Sequence, residues 1–316
     1  MRILVTGANG FVGTALCAQL LDQGFEVRGA VRSERSVIPA GIERIAVGGM
    51  AGDTDWSDAL RGVDCVIHLA ARVHVMREGS ADPLAEFRKV NVAGTRRLAE
   101  AATAAGVKRF VYVSSIKVNG EATFERPFSE SDVPNPVDPY GISKWEAEAT
   151  LRKISDETGL EAVVLRPPLV YGPGVGGNFA RMLAWIEKGI PLPLGSVRNR
   201  RSMIYVENLA DALIHCTTHP KAAYETFLVA DSESISTPEL IKTLSEKMGR
   251  KSRVFSFPVS LLKLLGKFTG KSSEIERLTG SLEADASKIR KMLGWNPPRP
   301  LDDGLKITAD WFSSTR

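Results

Sequence analysis

The sequence predicts an α/β protein built on a doubly wound parallel sheet, with a smaller substrate lobe formed by the later part of the chain. Short apolar runs recur through the first half: "RILVTG", "EVRGAV", "DCVIHLA" (64–70), "RFVYVSS" (109–115) and "EAVVLRPP" (161–168). Runs without polar alternation are strands covered on both faces. Helical patterns separate them, as in "GTALCAQLLDQG", closed by Gly24, and "NVAGTRRLAEAATAAG", closed by Gly106. That alternation is the pattern of a parallel sheet with crossover helices. After Arg166 the pattern loosens into Pro/Gly loops such as "RPPLVYGPGVGGN" and "IPLPLGSVRNRR". Residues 1–172, with a returning segment at about 203–230, are therefore expected to form the sheet domain. Residues 173–202 and 231–316 are expected to form the lobe. No repeat, low-complexity tract or clean linker divides the chain.

Bulk properties exclude several classes. The 316 residues are 43% hydrophobic and 25% charged, with a net charge of +4, which is ordinary globular composition. Without clustered Lys and Arg, that mild charge suits an anionic small substrate better than nucleic acid. Cys17, Cys65 and Cys216 are scattered and odd in number, as free thiols in a cytoplasmic protein are. Neither they nor His68, His74, His215 and His219 show a metal-ligand spacing, so no metal is expected. No apolar run is long enough to cross a membrane, so no membrane insertion is expected. The basic amphipathic segment "PVSLLKLLGKFTGK" (258–271) fits a lid or core-flanking helix better than a membrane-surface helix.

The first turn points to a cofactor. "TGANGFVGTAL" puts Gly7, Gly10 and Gly13 between the first strand and first helix. Glycines there allow a tight turn and close backbone approach to a pyrophosphate, which the helix N-terminus stabilises. The spacing is G-x-x-G-x-x-G; its position at the opening of the first βαβ unit gives it weight. At the end of the second strand, "EVRGAVRSERS" offers Arg32 and no carboxylate before Glu34. An arginine at this point suits a 2′-phosphate, so NADP is favoured over NAD, with a solvated loop charge as the plain alternative.

The chemistry is expected at "YVSSIKVNG" and "DPYGISKWE". Tyr140 and Lys144 lie one helical turn apart, and Ser115 ends a strand 25 residues earlier, on the sheet edge where such folds place their sites. Tyrosine, with a pKa of about 10, is a poor base at neutral pH. An ammonium beside it, with the charge of an oxidised nicotinamide, would favour phenolate and suit the group to acid–base work on an alcohol or ketone. Ser115 is then the residue to hold the same oxygen.

These motifs together resemble the extended short-chain dehydrogenase/reductase family, and within it the nucleotide-sugar epimerase/dehydratase/reductase group. The likeness rests on TGANGFVG (6–13), DCVIHLAA (64–71), NVAGT (91–95), VSS (113–115), YGISK (140–144), LRPPLVYGPG (165–174) and RRSMIYVENLADAL (200–213). It implies a Rossmann domain in which Ser115, Tyr140 and Lys144 are catalytic, Tyr140 and Lys144 also meeting the cofactor. Gly7, Gly10, Phe11, Val12 and Gly13 would line the diphosphate, and Ala70 and Ala71 would approach the cofactor. Asn91 would support the strand ends and Pro167 would lie by the nicotinamide. Asn178, Arg201 and, more weakly, Arg277 match positions that hold a sugar nucleotide's diphosphate, while His74 and Lys117 would face the sugar.

Departures from the family pattern narrow the reaction. Gly49 stands where relatives often carry an adenine-binding Asp, so the Met50 backbone would take that place. Ile116-Lys117 replace the Asp-Glu pair of 4,6-dehydratases, which argues against dehydration. Leu169 occupies the place of an asparagine found in many epimerases. The likeness of "SSIKVNGE" and "PLPLGSVRNRRS" to reductases, with Arg32, favours NADPH-dependent reduction of a UDP-4-keto-6-deoxy-N-acetylhexosamine in O-antigen or surface polysaccharide assembly. The alternative is an NAD-dependent UDP-glucose or UDP-N-acetylglucosamine 4-epimerase. A homodimer through two-helix faces is implied by the resemblance alone.

Overall fold

The structure, a computed structural model, describes residues 1–73 and 81–315. Strand β1 (Arg2–Thr6) leads into helix α1 (Phe11–Asp22), followed by β2 (Glu26–Val31) and β3 (Glu43–Ala46). After the short α2 (Ser57–Leu60) comes β4 (Cys65–His68). Then α3 (Pro83–Phe87), a π-helical turn (Arg88–Ala93) and α4 (Gly94–Ala104) run together into β5 (Arg109–Val113). Helix α5 (Pro139–Thr158) crosses to β6 (Glu161–Arg166), which is followed by β7 (Leu169–Tyr171). The remaining chain forms α6 (Gly177–Glu187), β8 (Met203–Tyr205), α7 (Val206–Thr218), β9 (Thr226–Leu228) and α8 (Thr237–Lys247). It closes with α9 (Val259–Thr269), α10 (Ser272–Thr279), α11 (Ser287–Leu293) and α12 (Leu301–Ser314).

The main sheet has the order β3-β2-β1-β4-β5-β6-β9, and every pairing in it is parallel. Alternate side chains point to opposite faces of a strand, which explains why the apolar runs are continuous. Ile3, Val5, Ile67, Val111 and Val163 pack with Leu16 of α1 and Leu213 of α7. Leu4, Val66, Phe110 and Tyr112 face the other way, against Leu98 of α4 and Leu151 of α5. The strand order reverses between β1 and β4, which opens a crevice beyond their carboxyl ends.

β9 joins the edge of the sheet beside β6, with Leu165 opposite Phe227. β8 instead pairs with β7 in a separate two-stranded sheet. That pair belongs to a third core, where Tyr171 and Tyr205 pack with Phe179, Leu183, Leu244 and Phe312.

Three details differ from the sequence expectation. β4, β5 and β6 stop at His68, Val113 and Arg166, before their apolar runs end, because the next residues turn into the loops beyond the sheet. The helix expected from Asn91 begins earlier, behind Asp82, which caps α3 by accepting from the Ala85 amide at 3.0 Å. Helix α9 flanks the third core as expected, burying Leu262 and Gly266, but it also carries a second apolar face, Leu261, Leu264, Leu265 and Phe268, that is exposed.

Candidate active site

The crevice between β1 and β4 is shaped by backbone contact. Gly7 has φ +69°, and a Cβ on it would lie 3.1 Å from the Ala70 nitrogen. A Cβ on Gly13 would lie 2.1 Å from the Gly7 carbonyl oxygen, so only glycine fits there. Gly10 donates to that carbonyl at 2.9 Å and forms the N-cap of α1, where no side chain caps the helix and no acid occupies the first turn. The result is a bare, positive helix end beside a glycine turn, a fit for the pyrophosphate of a dinucleotide. Phe11 and Val12 stand at the start of the same helix, half-buried.

A polar chain fixes the crevice walls. His68, wholly buried, bonds Thr6 through Nδ1 at 2.6 Å and Thr95 through Nε2 at 3.0 Å. The Thr95 hydroxyl donates to the Asn91 carbonyl at 2.6 Å, so Nε2–H donates to Thr95 and Nδ1 accepts from Thr6. Thr6 in turn accepts from the amides of Leu69 and Ala70, at 3.2 and 3.1 Å. Burial pushes the His68 imidazole down to about 3, so it is a neutral structural brace. Asn91, in the π-helical turn, accepts from the Arg72 amide at 2.7 Å and donates to the Ser143 hydroxyl at 2.9 Å. It ties the loop after β4, which carries Ala71, to α5.

Helix α5 delivers the reactive pair. Asp138 caps it by accepting from the Gly141 amide at 2.7 Å, with Pro139 in the first turn, a strong start signal. Tyr140 and Lys144 share a face, with the Lys144 ammonium 5.9 Å from the Tyr140 ring centre and 4.7 Å from that of Tyr112. Lys144 Nζ donates to the Val113 carbonyl at 2.8 Å, at the end of β5. Two residues on, Ser115 accepts from the Lys117 amide at 3.3 Å and hydrogen-bonds the Tyr140 side chain. Beneath them a buried ion pair holds α5 to β6: Arg166 Nη2 meets Glu148 Oε2 at 2.6 Å, and its Nη1 donates to Asn119 Oδ1 at 3.1 Å.

The electrostatics of the protein's own groups favour the phenol form of Tyr140. Burial, and then the Asp138 carboxylate, push the Tyr140 phenol up to about 12, with Ser115 opposing them. Burial also pushes the Lys144 ammonium down to about 7, Glu148 working the other way. The protein's own groups therefore keep Tyr140 protonated at neutral pH, and Lys144 alone does not turn it into phenolate. Desolvation of the phenol is the largest influence on it, and the same burial weakens the charge of the neighbouring ammonium.

The other expected residues are scattered around this centre. Pro167 is buried, and its carbonyl accepts from the Ile116 amide at 3.0 Å, so it lies against the Ser115 loop. Met50 packs its methyl against Gly94 of α4. Arg32 is exposed just beyond β2. Lys117 is engaged by two carboxylates, Glu121 at 2.9 Å and Asp138, so a sugar contact would require it to leave them. Arg201 is half-buried and donates through Nη1 to the Arg277 and Gly280 carbonyls at 2.7 and 3.3 Å. Burial, with Arg277 nearby, lowers its pKa, and Glu121 opposes this; Arg201, Arg277 and Glu121 are thus neighbours. Asn178 is exposed in the first turn of α6 and bonded to Arg181, and no contact joins it to Arg201 among the described residues. His74 lies outside the described residues.

Sequence reasoning missed Thr6, Thr95, Asp138 and Ser143, the residues that hold the others. Asp138 and Ser143 both stood within the motif quoted for Tyr140, and Ser143 donates to the Tyr140 carbonyl at 2.8 Å. Asn119 likewise serves as a partner of Arg166.

The chain is similar to proteins of known assignment over nearly all its length. It is 44% identical to a UDP-glucose 4-epimerase of Vibrio cholerae, across 98% of this chain and 95% of that protein. It is 27% identical to the N-acetyl-alpha-D-glucosaminyl-diphospho-ditrans,octacis-undecaprenol 4-epimerase of Escherichia coli O157:H7, over 98% of this chain and 95% of the other. Among solved structures, the UDP-glucose 4-epimerase of Thermotoga maritima with UDP-glucose superimposes with a TM-score of 0.80 at 26% identity, covering 100% of this chain and 99% of that one. Residues 3–230 match the sequence pattern of the NAD dependent epimerase/dehydratase family, whose Rossmann fold this is. The glycine crevice and the Ser115, Tyr140 and Lys144 cluster thus lie in an enzyme, and the chain belongs to the NAD-dependent epimerase/dehydratase family.

Proposed function

We propose that the protein is a 4-epimerase of a UDP-hexose, with UDP-glucose or UDP-N-acetylglucosamine as substrate and NAD as cofactor. The observation that carries this is the likeness to a UDP-glucose 4-epimerase across 98% of the chain, together with a Ser-Tyr-Lys cluster beside a dinucleotide crevice. Bound NAD supplies the hydride acceptor, and then the donor, at sugar C4. Tyr140 exchanges the C4-hydroxyl proton through its phenol oxygen, and Ser115 holds the same oxygen by hydrogen bond. Lys144, anchored on Val113, orients the cofactor's ribose and steadies the Tyr140 turn of α5. The crevice groups named above (Gly7, Gly10, Phe11, Val12, Gly13, Ala70, Ala71, Pro167 and the Met50 backbone) hold the dinucleotide, and Arg201 with Arg277 takes the substrate's diphosphate in the lobe of residues 173–202 and 231–316.

This reading replaces reduction of a 4-keto sugar as the favoured one. Arg32 supports the reductase as a second reading, since an exposed arginine past β2 suits the 2′-phosphate of NADPH. The two separate cleanly. Purified enzyme with catalytic NAD and either UDP-hexose should form the 4-epimer, followed by anion-exchange chromatography, without net change in cofactor. No epimer, with NADPH consumed only when a UDP-4-keto-6-deoxy sugar is added, would reject the epimerase and establish the reductase.

A further inference from the structure

Helix α9 carries an apolar face that the fold leaves uncovered. Leu261, Leu264, Leu265 and Phe268 are 46%, 48%, 51% and 80% exposed. Their spacing of i, i+3, i+4 and i+7 puts them on one stripe. The opposite side of the helix is committed: Leu262 and Gly266 are buried, and a Cβ on Gly266 would come within 2.7 Å of Ile275 on α10. The exposed stripe is therefore not an accident of a loosely held helix, because α10 fixes its orientation.

Charge indicates what the stripe faces. Residues 250–271 hold six cations (Arg250, Lys251, Arg253, Lys263, Lys267, Lys271) and no Asp or Glu, and all six are exposed. Lys263 and Lys267 lie one turn apart on α9, to one side of the apolar stripe, and Lys271 follows just beyond the Gly270 C-cap of the helix. The nearest preceding lysine, Lys247, pairs with Asp302, but these lysines have no ion pair among the described residues. A four-residue apolar face edged by lysines is the arrangement of a helix lying in a membrane interface, with ammonium groups at headgroup level and apolar side chains below.

We propose that α9 seats this protein peripherally on an anionic lipid surface. The occupant is the bilayer, chosen because its negative headgroups match a cationic tract empty of acids while its acyl region takes the leucines and Phe268. No helix of the described residues is long and apolar enough to cross a membrane; the attachment proposed is through this face. The docking helix is one helix removed from the candidate diphosphate arginine, since α10, packed against α9, carries in its last turn the Arg277 carbonyl to which Arg201 donates. Docking would thus bring the substrate lobe to the lipid surface. The proposal concerns lipid binding alone and does not depend on which reaction the site runs.

The test is flotation of the whole protein with vesicles of phosphatidylglycerol and phosphatidylcholine, against phosphatidylcholine alone, at low and high salt. The parent protein should float with the anionic vesicles, and salt should weaken it. Leu264→Ser with Phe268→Ser should weaken binding at least about tenfold, as expected for loss of the apolar anchor. Lys263→Gln, Lys267→Gln and Lys271→Gln together should weaken it about 10²-fold, at about fivefold per lysine near a charged surface. These positions are exposed, and unchanged melting transitions would verify the fold of each variant independently of activity. Absence of flotation by the parent at low salt would overturn the proposal, as would binding that neither variant reduces. So would a parent that sediments as a self-associated species which the Leu264/Phe268 variant dissociates, since a second copy would then cover the face.

Discussion

Replacing Arg201 with methionine should strip the lobe of its grip on a nucleotide diphosphate. Its Nη1 is occupied by the Arg277 and Gly280 carbonyls, while Nε and Nη2 make no hydrogen bond among the described residues. No carboxylate pairs with it there either. A half-desolvated guanidinium with two spare donors in its fork is suited to bidentate phosphate recognition. A hydrogen bond to a charged group contributes about 1.5–3 kcal/mol, so the loss should weaken UDP about 10- to 150-fold. Isothermal titration of UDP into the variant measures this directly, and NAD affinity should hold within about twofold, because the dinucleotide crevice lies at β1 and β4. Arg201→Lys keeps the charge but loses the fork, and should fall between the two. An unchanged UDP affinity in Arg201→Met, with the melting transition intact, would refute the assignment and leave Arg201 as a brace between its own loop and α10.

Tyr140→Phe should keep fold and cofactor binding while lowering turnover by at least about 10²-fold, the usual scale for a lost acid–base group; near-normal turnover removes Tyr140 from the proton path. Arg32→Ala should weaken NADPH by about tenfold or more and leave NADH nearly unchanged, measured by fluorescence titration, whereas equal losses would make Arg32 a solvated loop charge. His68 predicts an acid limb in stability. Its folded pKa of about 3 lies below the ordinary 6.5, so the unfolded chain takes up the extra proton, and the contribution is complete above pH 6.5 and lost as pH falls toward 3. Between pH 6.5 and 5 that amounts to about 2 kcal/mol. Chemical denaturation of His68→Asn at the two pH values should show a shallower loss than the parent, and equal slopes would contradict a buried neutral imidazole.

What could be read from the sequence was whatever a single turn or a single helix encodes. Gly7, Gly10 and Gly13 act within seven residues, through their own backbone geometry, so their spacing alone points to the crevice. Tyr140 and Lys144 act one helical turn apart, so their register survives without knowledge of the fold. Asn91 and Ser143 meet across 52 positions, and Arg166 reaches from β6 to Glu148 on α5 and to Asn119 in the loop after β5. No local pattern predicts such pairs, because the sheet brings them together only after the crossovers are made. The same limit governs the protonation states. The four-residue spacing tells of an ammonium near a phenol, but burial decides that the phenol rises to about 12 and the ammonium falls to about 7.

That inversion bears on how the site must work. A phenol held at about 12 is ready to donate a proton to a sugar oxyanion, but cannot accept one from a hydroxyl at neutral pH without further positive charge nearby. An enzyme that only reduces a ketone needs the first step alone, and the groups present meet it. An epimerase also needs the reverse step, so it depends on whatever binds beside Tyr140 to bring the phenol down. A pH profile of the first half-reaction, hydride removal from UDP-glucose, should therefore rise toward alkaline pH. The Asp138→Asn variant should shift that rise to lower pH, since the Asp138 carboxylate is a charge that raises the phenol. Lys117, paired with Asp138, already blunts that carboxylate, so Lys117→Met should shift the rise the opposite way. A profile unmoved by either change would mean that proton transfer at Tyr140 does not limit the step.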